Sequence, residues 1–338
     1  MTGISDSCNR PINYLRISVT DRCNLRCIYC LPSEGIRLIS HSEILTYEEI
    51  TTIARLASEL GIKKIRLTGG EPLARARLTE LVAMLAKIDA IDDISLTTNG
   101  ILLEEQASEL KQAGLKRVNI SLDSLNPEKF ELITRHNKLN EVLSGIEAAK
   151  ANGLNPVKIN MVVMRGINDD EIINFANLTI TDGWHVRFIE LMPFTTDNPP
   201  EIHSTGGKSH LQHQFMPTQE INERLSSLGK LEPSSPITGN GPAKYFRFPN
   251  AIGTIGFISP ISQHFCFSCN RIRLTAEGKL RPCLLSDDEF DLRQLLRDDA
   301  PPEKLKQVIT EAIQKKPLKH NLPNGTGSTK RHMSQVGG

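Results

Sequence analysis

From about Tyr14 to Leu191, short runs of β-branched and aliphatic residues alternate with longer stretches whose apolar positions recur at helical spacing. The runs at 14–19, 65–67, 94–97, 117–122, 157–163 and 186–190 read as strands. Thr46 is placed to cap a helix in which Ile50, Ile53, Ala54 and Ala57 share one face, and Gly61 ends it. The same reasoning predicts helices over 78–88, over 104–113 with Gly114 closing it, and over 140–152 with Gly153 closing it. A further helix starts near Asp169.

Six β-α units in series imply a parallel sheet with right-handed crossovers. Polar and glycine-bearing segments follow the strands directly: Thr68-Gly69-Gly70-Glu71-Pro72, Thr98-Asn99-Gly100, Asp123-Ser124 and Met192-Pro193. In barrel-like α/β folds that carboxyl rim is where sites are built. Six units are fewer than the eight of a closed barrel, so the pattern predicts an α/β fold of open, partial TIM-like (βα)6 type whose gap something else covers.

Beyond residue 193 the rhythm changes. Residues 194–214 are rich in Thr, Asn, Pro, Gly and His and read as a surface loop. A capped helix over 218–228 follows, then strand-like runs at 245–248 and 254–258. The stretch 321–338 is rich in Gly, Ser and Lys and reads by composition as a mobile tail. The expected organisation is therefore a barrel segment at 1–193, a C-terminal β-containing extension at 194–320, and a flexible tail at 321–338.

Composition changes this picture little. The chain has 338 residues and a formal net charge of +1, so no global field draws it to nucleic acid or an anionic membrane. The first 13 residues lack a signal-peptide pattern, and no window of about 18 apolar residues occurs. A cytoplasmic protein is expected. Any anionic substrate must be held by a local cluster of Lys and Arg.

The seven cysteines change it a great deal. An odd count without a secretion signal argues against a disulfide framework, and six fall into two tight groups, leaving Cys8 as an ordinary thiol. Cys23, Cys27 and Cys30 follow the first strand. Three thiolates so spaced suit one face of an iron–sulfur cubane with one iron left open, while a structural zinc site with closer Cys pairs is the alternative. Cys266, Cys269 and Cys283 form a second set of three, for which zinc completed by His264 is again the alternative. Here Asn270-Arg271-Ile272-Arg273 adds information: in an extended segment Arg271 and Arg273 project to one side, a site for a polyanion. His203, His210 and His213 fit no usual metal-ligand spacing.

Cys23-Asn24-Leu25-Arg26-Cys27-Ile28-Tyr29-Cys30, with Gly69-Gly70-Glu71-Pro72 after the second strand, resembles the signature of the radical S-adenosylmethionine (SAM) superfamily. The second cysteine set with its Arg-Ile-Arg, Ile189-Glu190-Leu191-Met192-Pro193 and the closing Gly337-Gly338 resemble, more narrowly, the family of GTP 3′,8-cyclases, over nearly the whole chain. The resemblance implies two [4Fe-4S] clusters, SAM, and a lyase that cyclises GTP in the first step of molybdenum cofactor biosynthesis. It assigns Arg16, Arg66, Thr97, Lys158 and the run Arg271, Ile272 and Arg273 to GTP, and Tyr29, Gly70, Ser121 and Met192 to SAM. It gives Arg271, Arg273, Gly337 and Gly338 catalytic roles, reversing the compositional reading of the tail. It further implies a homodimer, an electron donor, and hand-over to a cyclic pyranopterin monophosphate synthase.

Overall fold

The structure, a computed structural model, describes residues 3–192, 201–204, 207–239, 241–320 and 331–337, with backbone alone over 201–212. Six parallel strands run in chain order: β1 (Tyr14–Ser18), β2 (Lys64–Thr68), β3 (Asp93–Thr98), β4 (Arg117–Ser121), β5 (Lys158–Val163) and β6 (His185–Glu190). The helices between them are α1 (Tyr47–Glu59), α2 (Leu78–Ala86), α3 (Leu103–Gln112), α4 (Pro127–Thr134), α5 (Leu139–Ala151) and α6 (Ile172–Thr181). Thr46 caps α1 in a reciprocal box: its hydroxyl accepts from the Glu49 amide at 3.1 Å, and the Glu49 carboxylate accepts from the Thr46 amide at 2.7 Å. Helix α4 is absent from the sequence expectation, although Asn126 at its N-cap and Pro127 at its first turn are start signals.

Residues 194–214 are not all loop. A hairpin of β7 (Glu201–Ser204) and β8 (Gly207–His210) lies there, paired from Glu201 with His210 to Ser204 with Gly207. Two four-residue strands are too short for a period-2 pattern to declare itself, and backbone pairing decides them. Helix α7 (Thr218–Leu225) follows, then the short strands β9 (Glu232–Pro233), β10 (Lys244–Arg247), β11 (Thr254–Ile258), β12 (Arg271–Leu274), β13 (Lys279–Arg281) and β14 (Phe290–Asp291). Helices α8 (Arg293–Arg297), α9 (Pro302–Gln314) and α10 (Met333–Val336) complete the chain.

The C-terminal strands extend both edges of the first sheet. β12 pairs in parallel with β1, and β11 pairs in parallel with β6. The sheet therefore holds twelve strands in the order β14-β13-β12-β1-β2-β3-β4-β5-β6-β11-β10-β9 and is not closed into a barrel. One alternate set of strand residues, including Leu15, Ile17, Ile65, Leu67, Leu96, Val118, Ile120, Phe188, Ile272 and Leu274, is buried in the core shared with the helices. Each such side chain contributes about 1.5–3 kcal/mol by leaving water. The other set is unusual. In a closed barrel it would be branched aliphatics filling the interior. Here it is Tyr14, Arg16, Arg66, Thr97, Ser121, Asn160, Arg187, Arg271 and Arg273, and all of these line a cavity.

Candidate active site

That cavity has about 1910 Å³ of empty space, part of it continuous with solvent. All six grouped cysteines line it, the first triplet from the loop after β1 and the second from the segment preceding β12 and the segment following β13. Two sequence groups more than 230 residues apart thus face one space.

The approach of chain segments explains the two glycines. A Cβ on Gly70 would lie 2.3 Å from the carbonyl oxygen of Arg22, and one on Gly69 would lie 2.5 Å from that of Thr20. Only hydrogen allows the Gly69-Gly70 turn to lie on residues 20–22, which lead into Cys23. The contact is tied by the Gly70 amide donating to Thr20 and the Glu71 amide donating to Arg22, each at 2.8 Å. The Glu71 carboxylate, fully enclosed, accepts from the amides of Leu73 and Asn99 and from the Thr98 hydroxyl. Burial pushes its pKa up to about 7 against those three donors.

Around the first triplet, burial raises all three thiols, Cys23 to about 11 and Cys30 to about 12, and Cys27 is raised further by Asp123 and the other two sulfurs. Three thiols that oppose one another's ionisation suit a positively charged iron cluster, which takes the proton's place. Tyr29 donates to Asp123 at 2.6 Å, and Asp123 also accepts from the Val162 amide at 2.8 Å. Around the second triplet the field has the opposite sign. Burial pushes Cys269 up, but Arg271, Lys316 and Arg273 outweigh it and bring the thiol down to about 6. Among the described residues, no group of three or more His, Cys, Asp or Glu converges as one metal ion requires.

Between the triplets lies a layer of buried cations. Parallel register sets Arg273 beside Arg16, and Arg16 beside Arg66, on three adjacent strands, about 4.7–4.9 Å apart in backbone spacing. Burial lowers the Arg16 pKa well below its usual value, with Arg273 and Arg66 adding repulsion. Arg66 and Arg273 fall to about 10, again with burial as the largest cause. The Nε atoms of Arg271 and Arg273, the Tyr14 hydroxyl and Asn160 Oδ1 are buried without a hydrogen-bond partner among the described residues. Like charges pressed together beside unsatisfied polar atoms are costly in an empty protein, and a bound polyanion removes the cost.

The expected SAM residues Tyr29, Gly70, Ser121 and Met192 all line the cavity, as do Arg16, Arg66, Thr97, Arg271 and Arg273. Two expected GTP residues do not. Ile272 points the other way and is buried in the core, as alternation along a strand requires. Lys158 sits one layer below, 1% exposed, donating to the carbonyls of Ile237 and Thr238 at 2.8 and 2.7 Å. Arg187, which the sequence expectation missed, lines the cavity, held by the Tyr245 hydroxyl and Asn119. Its place on the sixth strand, at the alternation that carries Arg16 on the first, was the available signal.

The tail departs from its compositional reading over residues 331–337. Arg331 is ion-paired to Glu277 and Glu289, with Nη2 of Arg331 at 2.8 Å from Glu289. Met333 and Ser334 line the cavity together with Cys30. Gly337 is packed so that a Cβ would meet Thr68 at 2.8 Å. The charge pairs and this fit fix a segment that composition alone leaves loose. Gly338 and Pro193 lie outside the described residues, as do the side chains of His203 and His210.

Comparison with known proteins settles the family. Residues 17–179 match the model of the Radical SAM superfamily, and residues 184–322 match that of Molybdenum Cofactor Synthesis C. The GTP 3′,8-cyclase of Desulforamulus reducens is 52% identical over 98% of this chain and 99% of its own. The chain belongs to the GTP 3′,8-cyclase family. The family's members from Pelotomaculum thermopropionicum and Moorella thermoacetica are each 49% identical over 99% of this chain and 100% of theirs. Streptococcus suis SuiB shares the fold, with a TM-score of 0.60 at 13% identity over 93% of this chain and 77% of that one. Within this cyclase family fold, no helix among the described residues is long and apolar enough to cross a membrane.

Proposed function

We propose that the chain is a radical SAM lyase that converts GTP to (8S)-3′,8-cyclo-7,8-dihydroguanosine 5′-triphosphate, the first step of molybdenum cofactor biosynthesis. The observation that carries this reading is the in-register row Arg273, Arg16 and Arg66 in the cavity that both cysteine triplets line. A triphosphate is the ligand such a row suits, because each guanidinium can pair with two phosphate oxygens.

A cluster held by Cys23, Cys27 and Cys30 would supply, with SAM, the radical chemistry, and a cluster held by Cys266, Cys269 and Cys283 would supply a binding position for the guanine. The chain's own residues orient and enclose. Arg16, Arg66, Arg271 and Arg273 hold the triphosphate, and each charged hydrogen bond is worth about 1.5–3 kcal/mol. Thr97 supplies a further polar contact from the third strand. Ile272, packed in the core, fixes the orientation of the arginines on either side of it. Lys158 acts from below, bonding the 237–238 segment, whose neighbours Gly241 and Pro242 line the cavity. Tyr29, Gly70, Ser121 and Met192 receive SAM, with Asp123 fixing the Tyr29 hydroxyl. Met333 and Ser334 exclude water on one side, and catalytic roles are assigned to Gly337, packed against Thr68, and to Gly338. Ring and sugar held at bonding distance account for much of the rate.

The reading sets the reaction in the cytoplasm, where a reducing thiol pool keeps six cysteines available. It includes a homodimer, a one-electron donor, and transfer of the product to a cyclic pyranopterin monophosphate synthase. Anaerobic reconstitution followed by incubation with SAM, reductant and each nucleoside triphosphate tests it. About eight irons per chain, two clusters of four, and 5′-deoxyadenosine release stimulated by GTP alone are expected. Two clusters with no nucleotide response would remove GTP from the reading.

A further inference from the structure

Lys316 stands just past helix α9 and is 3% exposed. Its Nζ donates to the carbonyl of Arg271 at 2.8 Å and to that of Pro282 at 2.6 Å. Arg271 is two residues beyond Cys269, and Pro282 immediately precedes Cys283. One ammonium group therefore ties together the two strands that deliver these cysteines. The positive charge of that ammonium acts on the sulfurs of both Cys269 and Cys283. The residues that follow continue the arrangement. His320, like Cys266, lines the cavity. The carbonyls of Lys316, Pro317 and Leu318 turn instead to buried Arg10, which also holds the carbonyl of Cys266 at 2.7 Å and pairs with Asp6 at 2.6 Å.

The two triplets thus sit in different fields. Glu71 and Asp123 stand near the first, with Arg26 and Arg135 also in reach. Lys316, Arg271 and Arg273 surround the second. Hydrogen bonds to sulfur and nearby positive charge stabilise the reduced, more negative state of an iron–sulfur cluster and raise its potential.

We propose that Lys316 is a positioning residue of the second cluster: it locks the Cys269 and Cys283 segments into one ligand set and raises that cluster's reduction potential. The proposal rests on the reading of the second triplet as a cluster site. Its effect is read most cleanly in a full-length chain with Cys23, Cys27 and Cys30 replaced by alanine, reconstituted anaerobically and titrated with dithionite and mediators under electron paramagnetic resonance. Lys316→Met removes charge and donors at similar length. The expected result is about a tenfold fall in the reduced-to-oxidised ratio at fixed potential, equivalent to a shift of about 59 mV for one electron, with Lys316→Arg restoring most of it.

An unchanged midpoint in Lys316→Met with its irons retained would overturn the proposal. So would Lys316→Arg retaining its irons at the methionine variant's midpoint. If Lys316→Met binds no iron and Lys316→Arg binds a full cluster at the parent midpoint, the tie and the charge are both upheld; iron lost from both variants overturns the proposal. Absence of iron from the parent chain with Lys316 intact would defeat the reading of the second triplet instead.

Discussion

Replacing Gly70 with alanine tests the link between the Gly-Gly turn and the first cysteine loop. The added Cβ would lie 2.3 Å from the Arg22 carbonyl oxygen, 2.6 Å from the Arg22 carbonyl carbon and 2.8 Å from the Asp21 oxygen. These are backbone atoms, so no side chain can swing aside. Ordinary contact begins near 3.5 Å between carbons, and residues 21–22 must therefore retreat by roughly 1 Å. The retreat breaks two hydrogen bonds of 2.8 Å, from Gly70 to Thr20 and from Glu71 to Arg22, and carries Cys23 with it. Overpacking of this kind costs about 1–3 kcal/mol, and a displacement of 1 Å at a reacting centre costs about 100-fold in rate. Iron content, melting temperature and 5′-deoxyadenosine release should be measured on anaerobically reconstituted protein. The expectation is a folded chain of lower melting temperature, a weakened first cluster and at least 100-fold slower release. A Gly70→Ala chain with full iron and parental release would refute the packing argument.

The remaining predictions concern charge. Arg273→Met should raise the KM for GTP by about 10- to 100-fold, from the loss of about 1.5–3 kcal/mol of charged hydrogen bonding. The GTP-free chain should lose little stability, because burial and the charges of Arg271 and Arg281 oppose that guanidinium more than the Cys269 and Cys283 sulfurs favour it; a clearly lower melting temperature without GTP would contradict this account. Burial, followed by Lys158, Arg247 and Arg187, depresses the His185 pKa to about 4. Below about pH 6.5 the unfolded chain binds a proton that the folded chain refuses, so stability falls between about pH 6.5 and pH 4. His185→Gln should flatten that slope in denaturant titrations, and an unaltered slope would exclude His185 as its source. Arg331→Met removes the pairs to Glu277 and Glu289 and should expose the segment 331–337 to C-terminal proteolysis about tenfold faster or more. Parental cleavage rates would mean that other contacts hold it.

The chemistry at the centre of the site comes from side chains set by alternation on parallel strands. An interior of Arg, Thr, Ser and Asn in place of branched aliphatics leaves the sheet with a polar concave face. Its cost is visible in the depressed arginines and the unpartnered Arg271 and Arg273 Nε atoms. Such a face is stable only where the outer face is densely apolar, which Leu15, Ile65, Leu96, Ile120 and Ile272 ensure. The weakness of the empty site and its capacity for a triphosphate are the same property.

Local order in this protein was legible in the sequence because its causes are local. The six parallel strands, the Thr46 capping box and the closing glycines depend on periodicity and on residues a few positions apart. The cysteine spacings and the Arg-Ile-Arg alternation likewise carry their chemistry within short segments, and so the thiol sets and the paired arginines could be named without a fold. Tertiary structure decided what depends on pairing between distant segments. The attachment of β12 to β1 and of β11 to β6 joins residues about 257 and 69 positions apart, as with Tyr14 beside Arg271 and His185 beside Thr254. Periodicity marks a strand but does not say which neighbour it takes. For the same reason Lys158 and Arg187, both cations on inner strand positions, differ only in depth: the 237–238 carbonyls capture one, and the cavity receives the other. Lys316 carries no signal at all in a one-dimensional reading, since its meaning lies in two backbone carbonyls and two sulfurs that the chain brings to it only when folded.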